Sequence, residues 1–504
     1  MSARFTREGS RPPAGWEDAL EEALAAFVAR TDTPGMAVTL FTAEDVLYER
    51  GFGHRDREAG KPVDADTFFG VASVTKSFTA MALQALTADG LVDLDEPVTR
   101  YLPFTLWEGR RPATLRHFLQ HASGLPPTPT MTWLRAASQA DDPVTAGPTL
   151  REALTTVTGG EAELARRAEE VATFDGMVAW LNANVELLDE PGALYSYSND
   201  GYCLMGGVVE RVSGRPFDAF LEERVLGPLG MTRSTFDLER VVADPNATTL
   251  YERDEQGVVR RSPRWQTTGR MLGGGMLKSC SRDLREWVRF LMAPGRPGPS
   301  GRAPAGSVGV PPDAVRELAR GAVWCGPGAR YGLGLREAGL RGLRFVGHSG
   351  GLKGVSSYVG WVPELGVGGV VLTNLANLPS EKVFTTMVAA YAGLPLDAAA
   401  YEPRPYAASR EEVEDALGSY ASGEPYGRLR LYLDDSGELR ADVGFPGATV
   451  QAFMAGPDEV ALSFAEYLAP VTLLRRGGRV WAAHYGSRVL KRTGPPRRAG
   501  RAPR

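Results

Sequence analysis

Apolar positions recur at helical spacing near the start of the chain. Trp16, Leu20, Leu24, Phe27 and Val28 form one stripe, which predicts a helix over 16–30 with one buried face. Two β-rich runs follow, Met36–Phe41 and Val46–Gly51, separated by Thr42-Ala43-Glu44-Asp45, a hairpin signal. Ser77 to Leu86 is an amphipathic run that reads as helix. From about 77 to 240 the pattern stays mostly helical, broken by a Pro/Thr/Ala-rich loop at Pro126–Thr149. Helix resumes over Ser281–Met292, with Ser281 as the expected N-cap and Asp283 in the first turn. Pro294–Pro312 reads as a surface loop. After it, Tyr331–Arg336, Arg344–Gly347, Ser356–Val362 and Val367–Leu372 read as strands, with Lys382–Tyr391 a helix covering them. Strands at both ends of residues 1–400 and helices between them suggest one α/β layer assembled from both ends, with a helical subdomain (about 77–240) inserted.

The pattern then changes. Tyr401–Ser409 is a Pro-rich linker, and beyond it Leu429, Leu431 and Leu433 alternate with Arg428, Arg430 and Tyr432. Asp435-Ser436-Gly437 turns the chain into Glu438–Val443. A small antiparallel all-β domain is expected over 410–494, followed by a disordered arginine-rich tail at 495–504. The 504-residue length fits two or more domains. With 43% hydrophobic and 23% charged residues the composition is that of an ordinary globular protein.

A net charge of −5 gives no reason to expect nucleic acid or an anionic membrane as partner. Met1–Gly15 is polar, and no apolar run is long enough to span a bilayer. Cys203, Cys280 and Cys325 are far apart and suggest no disulfide framework, so a cytoplasmic protein is expected. No metal or other cofactor is implied. His117 and His121 are spaced i, i+4 on what reads as one helix face, but without the glutamate of His-Glu-x-x-His they read as structural. The sequence does not decide between a monomer and a homo-oligomer.

Three short segments carry the chemistry. Ser73-Val74-Thr75-Lys76 is the sole Ser-x-x-Lys of the chain, and its spacing puts a hydroxyl within reach of an amine on one helix face. A serine needs a neighbouring base to become a nucleophile, and a lysine serves if burial and nearby cations favour its neutral form. Lysine is scarce here, being found only at 61, 76, 278, 353, 382 and 491, so its presence beside Ser73 carries weight. Tyr197-Ser198-Asn199 offers a proton relay and an amide donor, or else a turn stabilised by Asn199 and Gly201. His348-Ser349-Gly350-Gly351 ends a strand, where glycines let a substrate approach the backbone. His484-Tyr485-Gly486 also matches His-x-Gly but lies in the terminal β domain.

Taken in order, these segments resemble the serine β-lactamase and penicillin-binding protein family, in its class C β-lactamase, D-alanyl-D-alanine carboxypeptidase and esterase branch. The phrases Leu-Gln-His-Ala-Ser-Gly-Leu-Pro (119–126), Gly-Gly-Gly-Met-Leu-Lys-Ser (273–279) and Gly-His-Ser-Gly-Gly (347–351) fit that branch, over about residues 15–395. The resemblance implies an antiparallel sheet flanked by helices. It makes Ser73 the nucleophile of an acyl-enzyme, with Lys76 and Tyr197 sharing the proton transfers and Asn199 orienting Lys76 and substrate. It places His348 in the catalytic set, Ser349 and Gly350 against substrate, and the backbone N–H groups of Ser73 and Gly351 in the oxyanion hole. Histidine stands where lactamases and carboxypeptidases carry the lysine that holds a substrate carboxylate. The leading expectation is therefore a serine hydrolase acting on a small ester, amide or peptide. A D-alanyl peptidase or β-lactamase is the alternative, and a scaffold that has lost turnover is the alternative of another class.

Overall fold

The computed structural model describes residues 12–139, 159–254, 256–295, 308–424, 427–444, 449–465 and 467–494. The expected tail, residues 140–149 of the first Pro-rich loop and residues 296–307 of the second lie outside the described residues; the rest of the first is not all loop, since Thr130–Ala137 is a helix.

Strand Gly35–Phe41 forms the expected hairpin with Val46–Asp56, and its other edge pairs antiparallel with Val367–Thr373. Met36 lies opposite Thr373, and Phe41 opposite Gly368. This closure of distant segments builds a nine-stranded antiparallel sheet. From the hairpin side its order continues through Val367–Thr373, Val355–Val362, Leu343–Leu352, Arg336–Leu340, Ala329–Tyr331 and Val323–Gly326. Gly35–Phe41 is buried along its whole length because both faces are covered. Met36, Val38 and Leu40 pack with Leu20, Leu24, Val383 and Phe384 from helices Trp16–Arg30 and Ser380–Ala392. Ala37 and Phe41 belong to the larger core on the other face, with Phe78, Met81 and Trp287. There the Phe78 and Trp287 rings stack at 4.1 Å.

Four local expectations change. Helix Thr75–Ala88 is not amphipathic: every residue from Thr75 to Leu86 is buried, because the helix runs through the centre of the larger core. Cys280, not Ser281, occupies the N-cap of Ser281–Met292, and Ser281 Oγ donates instead to Ala65 O. Tyr331–Arg336 is not one strand, since Gly332 N donates to Leu335 O and turns the chain between Ala329–Tyr331 and Arg336–Leu340. The helix carrying His117 spans only Leu115–Leu119. His121 follows it with φ +55°, so the two histidines do not share a helix face. His117 Nδ1 accepts from Thr114 N in a capping box, whereas His121 turns inward.

The C-terminal strands close into an eight-stranded barrel in which Gly418–Ala421 pairs with Arg488–Gly494. Leu429, Leu431, Val460, Val471 and Leu490 fill its interior, and closure leaves no open edge. The barrel docks on the segment that precedes helix Asn199–Ser213. Leu188 and Leu194 pack there against Leu474, Trp481, Ala482 and Val489.

Candidate active site

Ser73 sits in a 3-10 turn, Ala72–Val74, that leads into helix Thr75–Ala88. Lys76 stands in the first turn of that helix, three residues on, which brings its side chain to the side of Ser73. Lys76 Nζ lies 3.0 Å from Ser73 Oγ, 2.8 Å from Asn199 Oδ1 and 2.5 Å from Gly274 O. An ammonium would donate to all three. A neutral amine has two N–H groups for Asn199 and Gly274, and keeps its lone pair for the Ser73 proton. Lys76 is wholly buried, and that desolvation is the main reason its pKa falls to about 7, with Arg488 and Arg135 adding to the effect.

Each partner is set by local structure. Ser198 caps helix Asn199–Ser213 by accepting from Gly201 N at 3.0 Å, which starts the helix at Asn199 and points its amide at Lys76. Asp200, buried beside it, accepts from the Thr128 and Thr130 hydroxyls. Burial lifts its pKa to about 6. Gly274 belongs to the triple glycine 273–275. A Cβ on Gly274 would lie 2.9 Å from Cys203 Sγ, so a side chain there would push the Gly274 carbonyl off Lys76.

Tyr197 lies beside this cluster, its ring centroid 4.8 Å from Lys76 Nζ and 4.1 Å from the His121 ring. Burial raises its pKa, while the nearby Ser73 hydroxyl and the Arg488 charge oppose that rise, so the phenol stays protonated at neutral pH. His121 Nδ1 accepts from Ser198 N, and its desolvation keeps the ring neutral.

His348 lines the cavity, but neither ring nitrogen is free. Nδ1 is 2.5 Å from Ser349 O and Nε2 is 2.8 Å from the Tyr331 hydroxyl. Burial first, and Lys76 second, bring its pKa down to about 3, so it presents no cation. Gly350 does not face the cavity, contrary to expectation. A Cβ there would lie 2.3 Å from both Val71 O and Ser357 Oγ, so the glycine lets the strand close on the turn that carries Ser73. Ser349 and Gly351 do line the cavity, and Gly351 has open space before its Cα. Tyr202 and Trp133 are buried and do not line the cavity. Tyr202 donates to Leu119 O, and Trp133 packs edge-on against Trp180.

The cavity holds about 550 Å³, and besides the strand that carries His348, Ser349 and Gly351 it has three walls. One carries Ser73, Tyr197 and Asn199. Another comes from helix Thr130–Ala137 through Met131, Thr132 and Arg135. The third is the barrel hairpin Tyr485-Gly486-Ser487-Arg488, which periodicity did not connect to the site. Ser487 O accepts from Tyr197 N at 2.9 Å, and Arg488 Cζ lies 4.8 Å from the Tyr197 ring centroid. Glu424 pairs with Arg488 Nε at 2.7 Å. The decoy His484 packs between Tyr195 and Trp324 outside this lining. Among the described residues, no group of three or more His, Cys, Asp or Glu is arranged to hold a metal ion, and no helix is long and apolar enough to cross a membrane.

The model of the Beta-lactamase family matches residues 20–394. Esterase EstB of Burkholderia gladioli is 34% identical over 42% of this chain and 48% of its own length. The D-aminopeptidase of Gluconobacter oxydans is 26% identical over 81% of this chain and 68% of its own length. The chain spans 48% to 63% of the length of the curated relatives it matches at 30% identity or more. Among solved structures, the octameric penicillin-binding protein homologue from Pyrococcus abyssi superposes with a TM-score of 0.63 at 24% identity, over 94% of this chain and 99% of that one. It shares the fold.

Proposed function

This chain belongs to the Beta-lactamase family, and on that premise we propose that it is a serine hydrolase that cleaves an ester, small amide or peptide bond through an acyl-enzyme on Ser73. The observation that carries the reading is the Lys76 amine, wholly buried and 3.0 Å from Ser73 Oγ. Its pKa of about 7 leaves a large fraction neutral at physiological pH. Lys76 takes the Ser73 proton as Ser73 Oγ attacks the substrate carbonyl carbon. The backbone N–H groups of Ser73 and Gly351 stabilise the oxyanion that develops. Tyr197, protonated because burial raises its pKa, passes a proton to the leaving group and is reprotonated from Lys76. Water then attacks the acyl-enzyme by the same route in reverse and frees Ser73.

The relatives named an esterase and a D-aminopeptidase support an ester or small amide as substrate class. A neutral His348 with both nitrogens engaged argues against a lysine-like role in holding a carboxylate, and so favours esters over β-lactams. Three unpaired, buried cysteines support a reducing, cytoplasmic setting.

Intact-mass analysis after treatment with a fluorophosphonate tests the reading. One adduct on the native chain and none on Ser73→Ala is expected, followed by turnover of p-nitrophenyl esters that Ser73→Ala lowers by at least ~10³-fold. A native chain that takes no adduct and turns over nothing would favour a binding protein that keeps the fold.

A further inference from the structure

The catalytic cluster and the barrel meet at Tyr197. Its backbone N–H donates to Ser487 O, and the Val489 N–H reaches the hydroxyl of Ser196, the residue before it. The barrel therefore anchors this segment through its backbone, and then places a guanidinium against the ring. Arg488 Cζ and Lys76 Nζ each lie 4.8 Å from the Tyr197 centroid. The two cations are thus within ~10 Å of each other, about one Debye length, with the Tyr197 ring between them. Arg488 is itself fixed. Nε and Nη2 bond Glu424, Nη1 bonds Gly486 O, and only 23% of its side chain is exposed.

The other titratable groups around the pair are mostly uncharged at neutral pH. His121 and His348 are held neutral by burial. Tyr195, Tyr202 and Tyr331 have raised pKa values, and burial lifts the Cys203 thiol to about 12. The charged groups that remain are Asp200, bound by two threonine hydroxyls, Arg135, whose Nε donates to Met131 O, the Arg336–Glu381 pair on the cavity lining, and the Arg488–Glu424 pair. Of these, Arg488 alone has its charged end placed over the Tyr197 ring. A hairpin tip that served only to pack would not need a charged pair, whose partial desolvation is costly.

We propose that Arg488, delivered by the barrel and held by Glu424, is a positioning residue of the catalytic site that fixes Tyr197 and sets the charge felt by the Lys76–Tyr197 proton-transfer pair. It does not touch substrate in this role. The proposal rests on the reading of Ser73 as an acylated nucleophile. A positive charge here disfavours the Lys76 ammonium, and Glu424 partly offsets it. Removing one or the other should therefore move Lys76 in opposite directions.

The second-order rate of Ser73 phosphonylation by a fluorophosphonate, followed from pH 5 to 9, reads this directly and needs no known substrate. Wild type should show an acid limb near 7. In Arg488→Gln the limb should move up by about half to one pH unit, since one partly screened charge is removed. Its rate at pH 6.5 should fall about 3- to 10-fold and recover above the limb. Arg488→Lys should keep the limb near its wild-type position, and Glu424→Gln should move it down. Limbs that stay put in both glutamine variants, or move the same way, would overturn the proposal and leave the hydrolase reading intact. Wild type unlabelled at every pH would instead remove the hydrolase reading, and this inference with it. If thermal melts show that Arg488→Gln does not fold, Glu424→Gln decides: an unmoved limb there overturns the proposal.

Discussion

Lys76 combines two opposing demands. Its three acceptors at 2.5–3.0 Å would suit an ammonium, which has three N–H groups to give. Complete burial opposes the charge, and burial wins, bringing the pKa from 10.5 to about 7. In the proposed mechanism the active form is the neutral one, so activity should be lost as pH falls through that value. Log kcat/KM for an ester should rise with unit slope from pH 5.5 to about 7 and then level off. Lys76→Met should cost at least ~10²-fold and abolish the limb. A wild-type profile flat across that range would move the base role to another group. The motif Ser-x-x-Lys made this pair visible in the sequence. The neutral state of Lys76 was not visible, because it depends on a core closed by residues far along the chain.

At the scale of elements, the site depends on how closely one strand approaches one turn. Ala72, just before Ser73, has φ +47° and is buried, a left-handed residue held in place by its surroundings. Strand Leu343–Leu352 closes on that turn, and Ser357 Oγ donates to Val71 O at 2.7 Å. Gly350 is the position that permits this approach. Gly350→Ala should destabilise by ~1–3 kcal/mol, the usual cost of overpacking, and should separate strand from turn. Calorimetry and an ester assay should then show a lower Tm and kcat reduced by at least about tenfold. Wild-type values for both would mean that the strand tolerates the methyl and that another contact sets the gap. Periodicity identified this strand and its glycines, but ascribed them to substrate approach. Gly351 does stay open to the cavity, but the neighbour of Gly350 is the protein's own backbone at Val71, which strand spacing alone does not reveal.

Across the whole molecule, three histidines from different parts of the chain are buried in neutral form: His121, His348 and His484. Their folded pKa values are depressed, to about 3 for His348 and about 4 for His484, against ~6.5 when unfolded. Such groups leave stability intact above ~6.5 and lower it as pH falls toward the folded value, because the unfolded chain takes up protons that the folded chain refuses. Tm should therefore drop steadily between pH 6.5 and 4. His484 alone is worth ~3 kcal/mol over that window. Its ring lies against Tyr195 and Trp324, where barrel and sheet meet, so His484→Phe should flatten part of the slope. An unchanged slope would mean that this interface opens to water before the chain unfolds.

Local pattern determined a great deal here. Helical and alternating periodicities placed most helices and strands, and the three motifs placed Ser73, Lys76, Tyr197, Asn199 and His348 around one cavity. These features depend on interactions between near neighbours, which spacing records. Tertiary structure alone decided that the Lys76 pKa falls to about 7, that His348 has no free nitrogen, that Gly350 packs against Val71, and that Arg488 reaches Tyr197 from the barrel. Each of these follows from desolvation or from contact between distant segments, and neither leaves a periodic trace in the chain.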